Sequence, residues 1–210
     1  MNIRRKKIIQ YVLGMLLLGF IALSLLVYMF PTTLLDREFS EEVQELDAPA
    51  LETAMKTVSW FGYMPNSMIM VLIASLIFFV CRLRKEAIYT FSTLSSGAVS
   101  ASVKLIVDRP RPAEPLVRII EKANHQSFPS GHVLFYVVFF GFLIVMMYHL
   151  KSIPNKIRYF VAGVSAGFIF CVPFSRIYLG AHWFTDVLGG FMLGLVCLFI
   201  ISYLYFRKRA

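Results

Sequence analysis

Residues 129–150 read PSGHVLFYVVFFGFLIVMMYHL, a polar tetrapeptide set directly on a run that carries no Lys, Arg, Asp or Glu from Val133 to Leu150. A bilayer core of ~30 Å needs about 17–25 helical residues to cross it. Working outward, five more uncharged stretches are nearly as long or longer: Ile8 to Phe30, Gly62 to Cys81, Ala87 to Val103, Tyr159 to Ser175 and Val187 to Phe206. The 210-residue chain is 58% hydrophobic with a mean hydropathy of +0.70, so its main solvent is lipid rather than water. Backbone groups in lipid must be satisfied within their own segment, which favours helices for runs of this length. The expected fold is an all-α integral membrane protein with six transmembrane helices.

The formal charge of +9 reads as topology once it is placed along the chain. With six crossings, thirteen Lys and Arg fall on one side, at 4–7, 82–85, 151–158 and 207–209, and the other eight fall opposite. The positive-inside rule then puts both termini in the cytoplasm of a multi-pass cell-membrane protein. No basic surface is left over for nucleic acid. Arg4-Arg5-Lys6-Lys7 before the first run resembles a secretory n-region, but the run is too long and lacks a small-x-small cleavage site, so a retained helix is expected. Cys81, Cys171 and Cys197 lie in or beside apolar segments without metal-like spacing and read as packing residues.

Between the first and second crossings, Phe39, Val43 and Leu46, then Leu51, Met55 and Val58, recur at helical spacing, with Glu41, Glu42, Glu45 and Asp47 between them. Two short amphipathic helices along the outer interface are expected there, either packed on the bundle rim or serving as a lipid lid. The third crossing is rich in Ser and Thr, which predicts burial within the bundle. Gly163-x-x-x-Gly167 and Gly190-x-x-x-Gly194 predict close helix contacts. Residues 1–210 form one membrane-embedded domain, and oligomeric state is not legible.

Alternation brings three polar blocks to one outer mouth. Lys104, Arg109 and Arg111 follow the third crossing, Pro129-Ser130-Gly131-His132 opens the fourth, and Arg176, His182 and Asp186 lie between the fifth and sixth. Cations at a bilayer edge either snorkel or meet anions, and Lys104, Arg111 and Arg176 together with two histidines favour a phosphate clamp. The start of a helix adds free N–H groups and a positive dipole end, with Gly131 permitting close approach and Ser130 offering a hydroxyl. His182 and Asp186 are four apart and share one helix face, so the carboxylate can fix the imidazole tautomer and raise its basicity for attack on phosphorus. An i, i+4 metal pair is the competing reading, disfavoured by the scarcity of further carboxylates and by the surrounding cations. Arg109 reads equally as a support or head-group contact and as a solvent-facing charge, and His125 as a loop residue.

Assembled, K-x6-R-P, P-S-G-H and S-R-x5-H-x3-D resemble the signature of the type 2 phosphatidic acid phosphatase (lipid phosphate phosphatase) superfamily, with all eleven specified residues present in order. The resemblance implies a metal-independent phosphoric monoester hydrolase with no cofactor, acting on a lipid phosphate at the extracytoplasmic face. It implies His182 as the nucleophile that becomes phosphohistidine, Asp186 orienting it, and His132 as the acid for the leaving alkoxide and then the base for water. Lys104, Arg111, Ser130, Gly131 and Arg176 would bind the phosphoryl oxygens. Phosphatidylglycerophosphate, phosphatidic acid and undecaprenyl diphosphate stay open as substrates. A non-enzymatic lipid translocator is the rival from another class.

Overall fold

In the computed structural model, which describes residues 3–46 and 48–207, every regular element is a helix. Asp47 of the acidic segment and Lys208 and Arg209 of the charge pattern lie outside the described residues, as do the side chains of Arg5 and Lys6. Among the described residues there are nine helices: α1 Ile3–Met29, α2 Leu34–Gln44, α3 Pro49–Trp60, α4 Asn66–Val80, α5 Arg84–Ser92, α6 Ser95–Val107, α7 Gly131–His149, α8 Asn155–Tyr178 and α9 Phe184–Phe206. Four of these are long and apolar enough to cross a bilayer by themselves: α1, α7, α8 and α9. That makes the chain a multi-pass membrane protein.

The second and third expected crossings depart from the simple reading. The run beginning at Gly62 is helical only from Asn66, because residues 61–65 turn, and α4 spans 15 residues. The run from Ala87 to Val103 is divided between α5 and α6 at Thr93 and Leu94. There Ser92 Oγ donates to Tyr89 O at 2.7 Å and Thr93 Oγ1 donates to Thr90 O at 2.6 Å. Side-chain bonds of this kind offer the backbone an alternative to continuing the helix. The Ser-rich α6 is also not the buried helix that its composition predicts. Its Ser96 and Ser100 turn inward while Gly97, Ala101 and Leu105 stay exposed, and its small side chains border a cavity beside α7.

The buried centre is α7, wrapped by α8 and α9; Val133, Leu134, Tyr136, Val138, Phe142 and Met146 are fully enclosed. Gly190 and Gly194 of α9 make that contact possible. A Cβ on Gly190 would lie 2.6 Å from Ser130 O, and one on Gly194 would lie 2.8 Å from Val137 Cβ. The Gly163/Gly167 pair of α8 meets nothing within 4 Å, so it makes no close helix contact here. α1 packs along α9, where Phe20 stacks on Phe128.

The two short helices expected between the first crossings are present as α2 and α3. Thr33 caps α2 with a reciprocal box, since Asp36 N donates to Thr33 Oγ1 and Thr33 N donates to Asp36 Oδ2. Both are pinned to the bundle rather than hung over it. Gln44 donates to Arg118 O and Tyr178 O, and Ser175 Oγ donates to Met55 O. These contacts favour rim packing over a free lid.

Candidate active site

The three blocks meet where α6, α7, α8 and α9 end. Asp108, in the left-handed region (φ 48°), terminates α6 and turns the chain into the 108–130 loop. Ser130 N donates to Asp186 O at 2.9 Å, which ties the start of α7 to the first turn of α9. Gly180 (φ +68°) lets the α8–α9 turn pass the loop, since a Cβ there would sit 2.3 Å from Arg118 O. The turn is closed by Ala181 N and His182 N, both donating to Arg176 O.

His182 stands between two different neighbours. Its Nδ1 lies 3.4 Å from Asp186 Oδ2, and its Nε2 lies 3.3 Å from Arg111 Nη1. That pattern fits a neutral ring with the proton on Nδ1 and a lone pair on Nε2. Burial first, and then the charges of Arg111, Lys104 and Arg176, hold the His182 pKa well below the usual histidine range. Asp186 is fully enclosed. Trp183 N donates to its Oδ2 at 2.9 Å, Ser127 Oγ donates to the same oxygen, and Arg109 Nη1 donates to Oδ1 at 2.6 Å. A metal on this carboxylate would have to displace donors already in place.

The cations around His182 are held mainly by neutral acceptors. Lys104 Nζ donates to Gln126 O at 2.5 Å and to Ser127 O at 3.1 Å. Arg111 donates to the carbonyls of Asn124, His125 and Ala181. Burial and the nearby Arg176 push its pKa down to about 10, which leaves it protonated at neutral pH. Arg176 Nη1 donates to Tyr63 OH at 2.5 Å and to Ser59 Oγ at 2.8 Å, with Glu121 Oε2 at a loose 3.7 Å. Among the described residues, Ser130 Oγ, His132 Nε2, Arg176 Nε and His182 Nδ1 are buried without a hydrogen-bond partner. Polar groups left over in this way suit the binding of an anion.

A cavity of about 690 Å³ opens against this pocket. Lys104, Arg111, Gly131 and His132 line its polar end, while Met68, Leu94, Ala101 and Phe135 line its apolar end. Four of the eight residues singled out from the sequence thus line this cavity, and Arg111 links them to His182 and, through it, to Asp186. His125 is an exposed loop residue, as expected, and its carbonyl accepts from Arg111.

Of the two readings of Arg109, the structure favours support: it is enclosed rather than solvent-facing, and it pairs with Asp186 and with Asp36, each at 2.6 Å. Sequence reasoning missed Asp36 and Tyr63. The Thr33-x-x-Asp36 spacing signals a helix cap but gives no hint of Arg109 as a partner. Tyr63 stacks edge-on against His132 with ring centroids 4.4 Å apart. Burial foremost raises its phenol to about 12, so it is a neutral donor.

Comparison with known proteins accords with this geometry. Phosphatidylglycerophosphatase B of Bacillus subtilis (strain 168), a bacterial enzyme that the motif set and helix layout resemble, is 44% identical over 80 residues, 36% of this chain and 37% of that protein. Undecaprenyl-diphosphatase BcrC of the same strain is 31% identical over 141 residues, 66% of this chain and 65% of that protein. The chain thus spans less than two thirds of the length of either. The crystal structure of a transmembrane PAP2-type phosphatidylglycerolphosphate phosphatase from Bacillus subtilis matches with a TM-score of 0.79, covering 92% of this chain and 96% of that one at 23% identity, a likeness of fold. Residues 85–210 match the family model of the PAP2 superfamily, and the chain belongs to that superfamily.

Proposed function

We propose that the protein is a membrane phosphatase, one domain over residues 1–210, that cleaves a lipid phosphate monoester through a phosphohistidine on His182. The observation that carries this reading is the split environment of one imidazole, with Asp186 beside Nδ1 and the guanidinium of Arg111 beside Nε2. The Nε2 lone pair attacks phosphorus as the bond to the ester oxygen breaks, and the leaving alkoxide takes a proton from His132. Water then gives a proton to His132 and displaces His182, releasing inorganic phosphate. Lys104, Arg111, Ser130, Gly131 and Arg176 hold the phosphoryl oxygens throughout. Phosphoryl transfer depends mainly on positioning and on stabilising charge, which these cations and amides supply without a metal.

The lipid tail lies in the cavity beside α6 and α7, and the head group reaches its polar end. α4 and the pair α5–α6 complete six crossings with α1, α7, α8 and α9, which puts both termini in the cytoplasm and the mouth outside. A reporter fused near Gln44 is expected to read as external and one at the C-terminus as cytoplasmic.

Phosphatidylglycerophosphate and phosphatidic acid are the first substrates proposed. The likeness to an undecaprenyl-diphosphatase over 141 residues favours a second reading, removal of the terminal phosphate of a lipid diphosphate. The deciding experiment compares kcat/KM of the purified protein on these three lipids in detergent micelles. Faster turnover of the two monoesters supports the first reading, and a preference for undecaprenyl diphosphate supports the second. No phosphate release from any lipid, with lipid movement in liposomes, would replace both by a translocator.

A further inference from the structure

Asp36, in the first turn of α2, is far from the signature blocks in sequence, yet it is built into the support of His182. Its side chain and those of Arg109 and Asp186 are all 0% exposed. Asp36 Oδ1 accepts from Thr185 N at 2.9 Å and from Thr185 Oγ1 at 2.8 Å. Its Oδ2 accepts from Thr33 N, Thr33 Oγ1 and Arg109 Nη2. Arg109 spends its remaining donors on Asp186 Oδ1, Thr185 Oγ1 and Pro31 O. The result is a carboxylate–guanidinium–carboxylate row that ends 3.4 Å from His182 Nδ1.

The charges in that row decide what it can do. Arg109 and Asp186 alone would form a neutral pair, leaving little attraction for positive charge on the imidazole. With Asp36 added, the row carries a net charge of −1, and its His182-facing end is a carboxylate. We infer that Asp36 is a positioning residue for the phosphatase reaction: it neutralises Arg109 so that Asp186 keeps an effective negative charge for His182. This inference rests on the histidine-nucleophile reading above. When Nε2 bonds to phosphorus and Nδ1 keeps its proton, the ring gains a positive charge, and the row stabilises that charge from the side opposite the phosphate. Facing His182 from the other elements are Lys104 of α6, Arg111 of the 108–130 loop, His132 of α7 and Arg176 of α8, so the row supplies the opposing sign.

The test uses the full chain in detergent with phosphatidic acid micelles, following kcat and kcat/KM from about pH 4.5 to 9. Asp36→Asn is expected to lower kcat about 10- to 100-fold and to move the acid limb of kcat/KM down by about one pH unit, because an imidazole beside a neutral row loses its proton more readily. The double variant Asp36→Asn/Arg109→Gln removes one charge of each sign and returns the row to −1. It is expected to recover at least about tenfold in kcat, with the limb back at the wild-type position. The substrate's own phosphate titration is common to all forms and cancels in the comparison. An unmoved limb in Asp36→Asn, or a double variant no better than the single, would overturn the inference. Should Asp36→Asn not fold, the double variant decides alone: turnover with a wild-type limb supports it, and an inert folded protein overturns it. Wild-type protein that releases no phosphate, or His182→Ala that still does, rejects the phosphatase reading itself and this inference with it.

Discussion

Arg109 and Arg111 flank one proline in one loop, and their surroundings could hardly differ more. Arg109 is enclosed between two carboxylates, and its partners are paired in turn. Among the described residues, Arg111 reaches carbonyl oxygens and an imidazole, and no carboxylate makes an ion pair with it. A buried cation matched by anions is finished and serves to fix geometry. A cation held by dipoles alone keeps its charge uncancelled, in a place where burial makes that costly. The contrast separates architecture from a site waiting for an anion, and it extends to Lys104, which is likewise held by carbonyls.

The strongest way to break this comparison is Arg109→Ala. It leaves Asp36 and Asp186 buried without their cation, a loss of about 3–5 kcal/mol, and a fall in Tm of about 10 °C together with loss of turnover is expected in thermal scans. Arg111→Ala should instead lower kcat/KM by about 100- to 1000-fold while Tm stays within about 2 °C of wild type. Equal thermal losses in the two variants would erase the distinction.

Vanadate, which resembles pentacoordinate phosphorus, sharpens it further. At about a hundredfold excess over its Kd it should stabilise the wild-type protein by about 2.7 kcal/mol and inhibit it, and Arg111→Ala should show neither effect at the same concentration.

Smaller effects test the neutral imidazole. The folded-state pKa of His182 lies well below the unfolded value of 6.5, so the unfolded chain takes up the proton first as pH falls. The stability that neutral burial confers is complete above about pH 6.5 and is lost as pH drops through the folded value. Between that value and pH 6.5 the wild-type Tm should fall more steeply with falling pH than that of His182→Gln, and parallel curves would mean that folding does not shift the ring's pKa. The smallest effect is expected for Tyr63→Phe, about three- to tenfold in kcat/KM, since Arg176 keeps Ser59 as an acceptor.

The long apolar runs of α1, α7, α8 and α9 were legible because hydropathy over twenty residues is a strong, local signal. The shortening of α4 and the break at Thr93 were not, since both depend on hydroxyl and turn geometry that leave hydropathy unchanged. The eight residues proposed for the site stood out through their spacing and their placement at helix ends. Asp36 was hidden for the opposite reason. Its neighbours in sequence mark only a helix cap, while its partner Arg109 lies 73 residues further along the chain. Tyr63 was hidden within an apolar run, where a phenol counts as one more aromatic. The Ser-rich composition of α6 predicted burial within the bundle, and it could not show that one face of the helix would stay exposed.

Gly62 sits against the His132 ring, where a Cβ would come within 2.2 Å of the imidazole. The ring is therefore wedged against bare main chain, and even a methyl group there would displace it. An alanine at this position would act as a steric throttle on the proposed proton donor while adding or removing no ionisable group. It offers a handle for testing the proposed alkoxide protonation and water activation without altering the pocket's charge.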